Sequence, residues 1–297
     1  MHFENAGNYC FRNMFEFCDS LKYVKEFKCD KLASYSCYNM FNGCVSLTNF
    51  PSLNEDNLSS YCFYYMFKNC TALTQLPELP VTTLAEGCYY GMFSGCTSLT
   101  DLSSFVLPAR QLTDYCYANM FENCTSLIKA PTLSAMNLAP YCYGGMFNNC
   151  TSLEIPPELP ATSLADYCYC NLYNTGNYNV NYCGMFENCS SLKEIPYLPA
   201  SILQSHCYYQ MFKGCTSLTS VDISAFEILH EHSCAYMFKG CSLLNKVSEL
   251  KSITAAANCY QGMFEDCTSL ETMPEIKLKT LALSCCEHMF NGCSSLK

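Results

Sequence analysis

The sequence has few positive charges and no long apolar run. Arginine occurs only at Arg12 and Arg110, charged residues make up 14% of the chain, and the formal net charge is −10. Such a chain has little with which to neutralise a phosphate backbone or an anionic membrane surface. It also lacks the run of about 18 apolar residues that a membrane-spanning helix needs. The composition therefore argues against nucleic acid as a partner and predicts no membrane insertion.

Motifs that carry chemistry are missing as well. The sequence contains no G-x-S-x-G, no phosphate-binding Walker loop, no H-E-x-x-H and no paired carboxylates in a recurring setting. No positively charged segment followed by an apolar stretch opens the chain, so the sequence shows no export signal. We expect no catalytic residues and no cofactor.

What the sequence does contain is a repeat. The pair Met-Phe recurs, and eight of the ten spacings between successive copies are 26 residues, the others being 28 and 39. The longest spacing equals one period plus 13 residues, and a degenerate copy at Leu172 and Tyr173 lies inside it. Positions in each unit are counted from the Met of its Met-Phe pair, which is position 1. The eleven methionines are Met14, Met40, Met66, Met92, Met120, Met146, Met185, Met211, Met237, Met263 and Met289. The sequence predicts a single domain over residues 1–297, an array of about eleven units with a half-repeat insertion near 171–184.

Two positions of the unit predict a short strand. Position 8 is Leu in all eleven units, and position 11 is usually apolar, as in Val24, Phe50 and Leu76. Proline at positions 12 and 15, as in Pro77 and Pro80, lacks an N–H and limits the strand to about positions 8 to 11.

The segment before each Met-Phe pair predicts a helix. Apolar residues at positions 19, 23 and 1 have the i, i+4, i+8 spacing of one helix face. Position 4 is Gly or Asn in nine units, Phe17 and Asp266 being the exceptions, and that exchange is typical of a left-handed residue just past a helix end. We therefore expect a short helix from about position 19 to position 3 of the next unit.

These two elements together predict a curved array. Stacked strands lie about 4.8 Å apart, whereas neighbouring helices need about 8 to 10 Å. The array should then curve, with short parallel strands on the concave face and short helices on the convex face. The predicted fold class is an α/β repeat solenoid, a right-handed leucine-rich-repeat arc with an inner face about 50 Å long.

Cysteine is unusually frequent, with 26 residues, eleven of them at position 5 and most others at or next to position 23. With helices, neighbouring columns would lie about 8 to 10 Å apart, beyond the reach of about 7 Å that a disulfide has. Buried free thiols are therefore favoured, disulfides stay an alternative, and zinc has only residues 230–234 (HEHSC) as a candidate. We expect no metal site. The cysteines expected to be exposed are Cys29, Cys170, Cys183, Cys285 and Cys286.

The concave face is the first candidate binding surface. Position 10 differs strongly between units, which suits recognition, although solvent exposure explains the same variety. Its candidate residues are Tyr23, Asn49, Gln75, Asp101, Lys129, Glu194 and Lys246.

The insertion is the second candidate surface. It is rich in Asn, Tyr and Gly, and a polar excursion from a regular array is typical of a functional loop, while a half-repeat slip without function is the alternative. Its candidate residues are Tyr173, Asn177, Tyr178, Asn179 and Tyr182.

Two further patterns have both a structural and a functional interpretation. Tyrosine gathers around position 23, as in Tyr115 and Tyr117, which predicts an aromatic stripe that either packs units together or contacts a partner. Four of the five glycosylation sequons place Asn at position 4, where a left-handed residue explains them without a glycan.

The unit resembles the BspA-like leucine-rich repeat. Residues 88–99, CYYGMFSGCTSL, closely match the variant that reads CYxxMFxxCTSLTxLPxLPATTLA, and the resemblance extends from about Tyr9 to Leu296. It implies an extended leucine-rich solenoid, commonly part of bacterial or protist surface proteins associated with adhesion to host or matrix proteins, and it supplies no catalytic residues. A cell-surface or extracellular location is implied by this resemblance alone. The chain shows no anchor and no polar capping repeats and stops partway through a unit at Lys297, so we expect a fragment of a longer array.

Two functions follow as hypotheses. The first is a non-catalytic protein-binding or adhesion module that presents the solenoid to a protein or glycan partner. The second is a structural protein that self-associates end to end into rods or filaments, because a terminal repeat that exposes its core invites another. An enzyme is the least supported alternative, because no residue pattern supplies catalytic groups.

Overall fold

The chain is built from short strands joined by turns. The computed structural model describes residues 2–51, 53, 58–174 and 180–297, and residues 173, 174, 180 and 181 are described by their backbone. The strands are β1 (His2–Phe3), β2 (Lys28–Cys29), β3 (Val106–Leu107), β4 (Thr132–Leu133), β5 (Cys170–Asn174), β6 (Val180–Gly184), β7 (Ile202–Leu203), β8 (Ser220–Val221), β9 (Ile228–Leu229), β10 (Lys246–Val247), β11 (Thr254–Ala255) and β12 (Thr280–Leu281).

Parallel pairing joins neighbouring units. β8 pairs with β10, with Val221 opposite Val247, at position 11 of their units, inside the predicted strand. β7, β9, β11 and β12 form a four-stranded sheet in which Ile202 lies opposite Ile228. This second sheet lies at positions 18 and 19, where the helix was expected to begin. In β3, β4, β7, β8 and β9 the first residue is exposed and the second is buried, as the alternation of a half-buried strand requires.

The predicted helices are wrong, because the described residues contain no α-helix. The segment expected to be helical is a series of overlapping β-turns. Every second N–H donates to the carbonyl three residues earlier, as from Met40 to Cys37 at 3.2 Å. The N–H groups between them donate to the next unit, as from Phe41 to the Met66 carbonyl at 2.9 Å. An α-helix would use these groups within its own segment, whereas here half of them form a ladder between units.

Left-handed residues at every fourth position explain the turns. In one unit they are Tyr35, Asn39 and Gly43, with φ of 56°, 50° and 74°. A left-handed residue is strained inside a right-handed helix but fits the third residue of a type II turn. The apolar stripe at i, i+4, i+8 has the four-residue period of these turns, which is close to the 3.6-residue period of a helix. The left-handed residue predicted at position 4 is confirmed, and Phe17 and Asp266 adopt it as well, with φ of 58° and 61°.

The core consists of columns in which the same position of successive units stacks. Met at position 1, Phe at position 2, Cys at position 5 and Leu at position 8 have no exposed surface in most units. The position 2 rings form one column from Phe15 to Phe290, with ring centroids 5.2 to 5.8 Å apart. This is close to the spacing of about 4.8 Å between paired strands. The predicted helix spacing of about 8 to 10 Å is therefore wrong, and the curvature inferred from it stays a prediction without that support.

The position 5 thiols form a hydrogen-bonded ladder. Cys150 Sγ donates to the Phe121 carbonyl at 3.1 Å, and the same contact recurs along the array at 3.0 to 3.3 Å. All 26 cysteines are free. The interpretation as buried thiols is confirmed, but the distance argument behind it is wrong, because the units stack at nearly strand spacing. From Cys44 onward, each position 5 thiol is directed instead at a carbonyl of the preceding unit.

The exposure predicted for individual cysteines is largely wrong. Cys29, Cys170, Cys183 and Cys285 are buried and Cys286 is half-buried. The exposed thiols are Cys10 and Cys18.

Candidate binding surfaces

Position 10 forms a row of side chains across neighbouring units. Tyr23 pairs with Asn49, and Asp101 pairs with Lys129, in parallel bridges. Lys246 lies opposite Ser220, the same position of the preceding unit. Exposed candidates are Tyr23, Asn49, Gln75, Asp101, Glu194 and Lys246, and Lys129 is partly exposed. The backbone bridges bring two pairs of candidates together. Within the described chain they do not join Gln75 or Glu194 to another candidate.

The position 10 row carries both signs of charge. Lys129 Nζ lies 2.7 Å from Asp101 Oδ2. Hydrogen bonds from Lys129 and from the hydroxyl and N–H of Ser103 hold the pKa of Asp101 below its usual range. Tyr23, at 67% exposure, adds an aromatic side chain to the row. The row can therefore offer donors, acceptors and a ring to a partner.

The insertion forms an antiparallel hairpin. Cys170 in β5 lies opposite Gly184 in β6, and Leu172 lies opposite Tyr182. Of the insertion candidates, Tyr173 is in β5 and Tyr182 is in β6. Asn177, Tyr178 and Asn179 lie outside the described residues. The Tyr182 ring lies among surface aromatic rings, 4.8 Å from the Tyr209 ring.

A buried amide anchors this hairpin to earlier units. Asn171 has no exposed surface. Its Nδ2 donates to Tyr90 Oη at 3.0 Å and to Asn119 Oδ1 at 3.1 Å. Asn119 Nδ2 also donates to Tyr90 Oη, at 3.1 Å. Because a buried amide is costly unless it is hydrogen-bonded, this cluster fixes where the insertion begins.

Two consecutive glycines make room for the hairpin. A Cβ on Gly144 would lie 2.5 Å from the carbonyl oxygen of Cys170, and one on Gly145 would lie 2.6 Å from Sγ of Cys183. Real Cβ atoms essentially never make contacts that short. The Gly144-Gly145 pair was the sequence signal for the packing of the insertion, and it was not recognised.

The tyrosines at positions 24 and 22 form two columns, beside a third at position 25 in which Tyr38, Tyr64 and Tyr90 stack. One is buried and packs units together, and its rings are those of Tyr89, Tyr117, Tyr143, Tyr169 and Tyr208. The other lies at position 22 near the surface, where Tyr9, Tyr35 and Tyr61 stack face to face with centroids 5.0 to 5.1 Å apart. The packing interpretation is thus correct for the first column. In the second, the covered faces leave only ring edges and hydroxyls for a partner.

A groove around Tyr197 was not predicted from the sequence. Tyr197 is 78% exposed and occupies position 13, which is Glu in several other units. On one side of it lies an open groove of about 420 Å³, and on the other lies one of about 280 Å³. We call both sides together the Tyr197 groove, and the residues of its walls used below are Pro156, Pro157, Glu158, Pro160, Glu194, Pro196, Pro199 and Asp222.

The metal candidate of residues 230–234 is not assembled. His230 is exposed and Cys234 is fully buried, while the His232 ring lies 4.6 Å from the His206 ring. No group of three or more His, Cys, Asp or Glu in the described ranges could hold a metal ion. The same ranges contain no helix long and apolar enough to cross a membrane.

This architecture has counterparts among known proteins. The family model described as BspA type leucine rich repeat region matches six copies over residues 39–176 and 181–297. Among solved structures, the chain is similar to a leucine-rich repeat protein from Bacteroides ovatus ATCC 8483, with 18% identity and a TM-score of 0.39 over 99% of this chain and 81% of that chain. It is also similar to a leucine rich cell surface protein from Faecalibacterium prausnitzii A2-165, with 14% identity and a TM-score of 0.37 over 99% of this chain and 62% of that chain. No curated protein matches the chain. Because the family model matches well over half of its residues, the chain belongs to the BspA-type leucine-rich repeat family.

Proposed function

We propose that the chain is a non-catalytic protein-binding module of a surface-type leucine-rich-repeat protein. In this proposal about eleven units form an elongated solenoid, and the position 10 row is its binding face. Membership of the repeat family supports a protein-interaction or structural role. A cell-surface or extracellular location belongs to the same proposal and rests on the family.

The main support for this proposal is that the position 10 side chains are exposed. Backbone ladders and the buried columns at positions 1, 2, 5 and 8 hold the units together. The position 10 side chains are largely exposed and differ from unit to unit, so the fold does not require their identity. A rigid repeat framework that presents variable side chains in fixed register is suited to recognition.

A protein partner fits this surface better than a glycan. Sugar rings commonly pack on open aromatic faces, and among the position 10 candidates only Tyr23 is aromatic. The position 10 row instead offers both signs of charge, as in Asp101 and Lys129. Charges of both signs complement a polar protein surface and disfavour wrong partners.

Binding to defined panels tests the proposal. The 297-residue protein is immobilised and probed by biolayer interferometry with extracellular-matrix proteins, and in parallel with a glycan array. For a protein that binds, the double variant Asn49→Ala with Gln75→Ala should weaken affinity by about fivefold or more. A matched control, Thr82→Ala with Gln111→Ala, removes exposed polar side chains outside the row and should change affinity by less than about twofold. Binding to glycans alone, or equal loss in both variants, would contradict the proposal.

A structural role is the second candidate. The turn ladder favours it, because each unit donates N–H groups to the next and accepts from the previous one, so a stacked second copy would continue the same pattern. Size-exclusion chromatography with light scattering distinguishes the two roles. Mass that rises with concentration supports end-to-end association, and a monomer at every concentration argues against it.

A further inference from the structure

We propose that the Tyr197 groove binds a segment of a partner protein that carries arginine. The inference deepens the proposed protein-binding role and rests on it. In this arrangement the guanidinium lies against the Tyr197 ring and between carboxylates on the two sides of the groove.

On the Glu158 side, the groove wall offers acceptors in preference to donors. Five of the wall residues are prolines, which provide a backbone carbonyl but no N–H. They are Pro156, Pro157, Pro160, Pro196 and Pro199. A ligand that fits such a wall must itself donate. Arginine carries five N–H donors in a planar group and no acceptor.

The charges of the groove call for a cation. Exposed carboxylates stand on both sides of the ring, Glu158 on one side and Glu194 and Asp222 on the other. Asp222 Oδ1 already accepts from the Ser224 N–H at 3.0 Å, so Glu158 and Glu194 are the carboxylates left for a ligand. In the described part of the chain Glu158 and Glu194 form no ion pair, and Lys193 pairs with Glu154 at 3.2 Å instead. The whole chain has a net charge of −10, which also attracts a basic segment over longer range.

The ring itself is available for a cation. Tyr197 is 78% exposed, and because other units have Glu at the same position, the fold does not need a ring there. Elsewhere the chain already places cations on tyrosine faces. The Arg12 guanidinium lies 5.0 Å from the centroid of the Tyr38 ring, and Lys68 Nζ lies 4.4 Å from that of Tyr65. Arginine combines this cation–π contact with planar hydrogen bonding to carboxylates.

Fluorescence anisotropy with a labelled peptide GSRGRSG tests the inference on the whole 297-residue protein. Wild type should bind it saturably, and a peptide with citrulline in place of arginine, which has nearly the same shape but no charge, should bind about tenfold more weakly. Tyr197→Ala should weaken arginine-peptide binding about tenfold, whereas Tyr197→Phe keeps the ring and should stay within about twofold. Far-UV circular dichroism checks that each variant is folded.

A charge-matched control separates the groove from general attraction. The double variant Glu158→Gln with Glu194→Gln should weaken peptide binding about tenfold. The control Glu78→Gln with Glu231→Gln makes the same change in net charge at exposed sites elsewhere, and it should weaken binding by less than about twofold. Absence of saturable peptide binding, unchanged binding in Tyr197→Ala, or equal loss in the two double variants would each overturn the inference. If a matrix protein then still binds through the position 10 row, the inference fails and the protein-binding proposal stands.

Discussion

Replacing Gly262 by alanine distinguishes the turn architecture from a helix by the sign of the effect. Gly262 is at position 26, inside the segment that the sequence predicted to be helical, and its φ is 56°. In a helix interior the change to alanine raises the free energy of unfolding by about 1 kcal/mol. In the left-handed conformation a Cβ lowers it by about 1 to 2 kcal/mol. The expected result is therefore destabilisation.

The neighbours of Gly262 add to this loss. The new Cβ would lie 2.4 Å from Cε1 of Tyr236 and 3.2 Å from Oε2 of Glu265. Tyr236 is half-buried and its ring can shift, so displacement adds about 1 kcal/mol, for a total of about 2 to 3 kcal/mol. Gly240→Ala isolates the backbone cost, because φ is 74° there and the nearest heavy atoms are those of Gly214 at 3.9 Å. It should lose about 1 to 2 kcal/mol.

Urea unfolding measures both variants. The chain has no tryptophan and 23 tyrosines, so tyrosine fluorescence reports on the stacked columns and far-UV circular dichroism on the backbone. Hydrogen exchange at the turn amides shows whether the loss stays near the substituted unit, as stacked repeats allow. Gly262→Asn should lose less than the alanine variant, because asparagine tolerates the left-handed region. A gain of stability in Gly262→Ala would refute the turn architecture.

Three further results are expected. A thiol reagent should modify Cys10 and Cys18 first in the native protein and all 26 cysteines after unfolding, and fewer than about 20 reactive thiols would contradict the free-thiol columns. Gly144→Ala should lower the free energy of unfolding by about 1 to 3 kcal/mol by displacing the hairpin. Gly7→Ala, with no atom within 4 Å of the added Cβ, should change it by less than about 1 kcal/mol. Stability should fall as the pH drops from about 6.5 towards 4, because burial lowers the pKa of His206 to about 4.

The sign of the pH effect follows from which state binds the proton. Burial first, and the nearby His232 second, lower the pKa of His206 in the folded chain, while in the unfolded chain it is about 6.5. The unfolded state therefore gains a proton first, so stability is complete above about pH 6.5 and is lost as the pH falls through 4. Because the imidazole is partly exposed, solvent screening reduces the loss to about 1 to 2 kcal/mol. His206→Tyr introduces the residue that occupies position 22 at Tyr141 and Tyr167. It should reduce the slope of the pH profile and leave the part due to His232, whose pKa burial also lowers. An unchanged profile in that variant would assign the pH dependence to other groups.

The sequence predicted the features that can be read from residue types recurring at the same position of each unit. Period, buried columns and the left-handed residue at position 4 all follow from which residue types recur, and Leu153 and Phe147 are fully buried as expected. Helices were predicted in error because the partner of a turn N–H lies in another unit. The bond from Phe41 to the Met66 carbonyl is a property of stacking, and no spacing within one unit reveals it.

The candidate sites divide in the same way. The exposure of position 10 could be predicted because its residues vary, and Tyr23 and Asn49 do lie side by side, while its role in binding stays a prediction. The hairpin anchor could not, since Asn171 reaches Tyr90 and Asn119 across units distant in sequence. The Tyr197 groove was not predicted because its walls come from three units, and the proline-rich loops supply only part of them. Each loop alone has the pattern of an ordinary return segment.

The turn ladder and the buried columns leave the exposed positions 10 and 13 open to substitution. Backbone bonds and buried columns fix the register, so most exposed residues at positions 10 and 13 can be replaced without disturbing the stacking, as the exchange of Glu for Tyr197 illustrates. The ion pair between Asp101 and Lys129 is an exception. Units two apart lie about 10 Å apart, a distance beyond which substitutions usually act independently. The effects of surface substitutions in alternate units should therefore add. A binding face in this fold can then be altered unit by unit, whereas substitutions in the Phe and Cys columns act through their stacked neighbours and should not add.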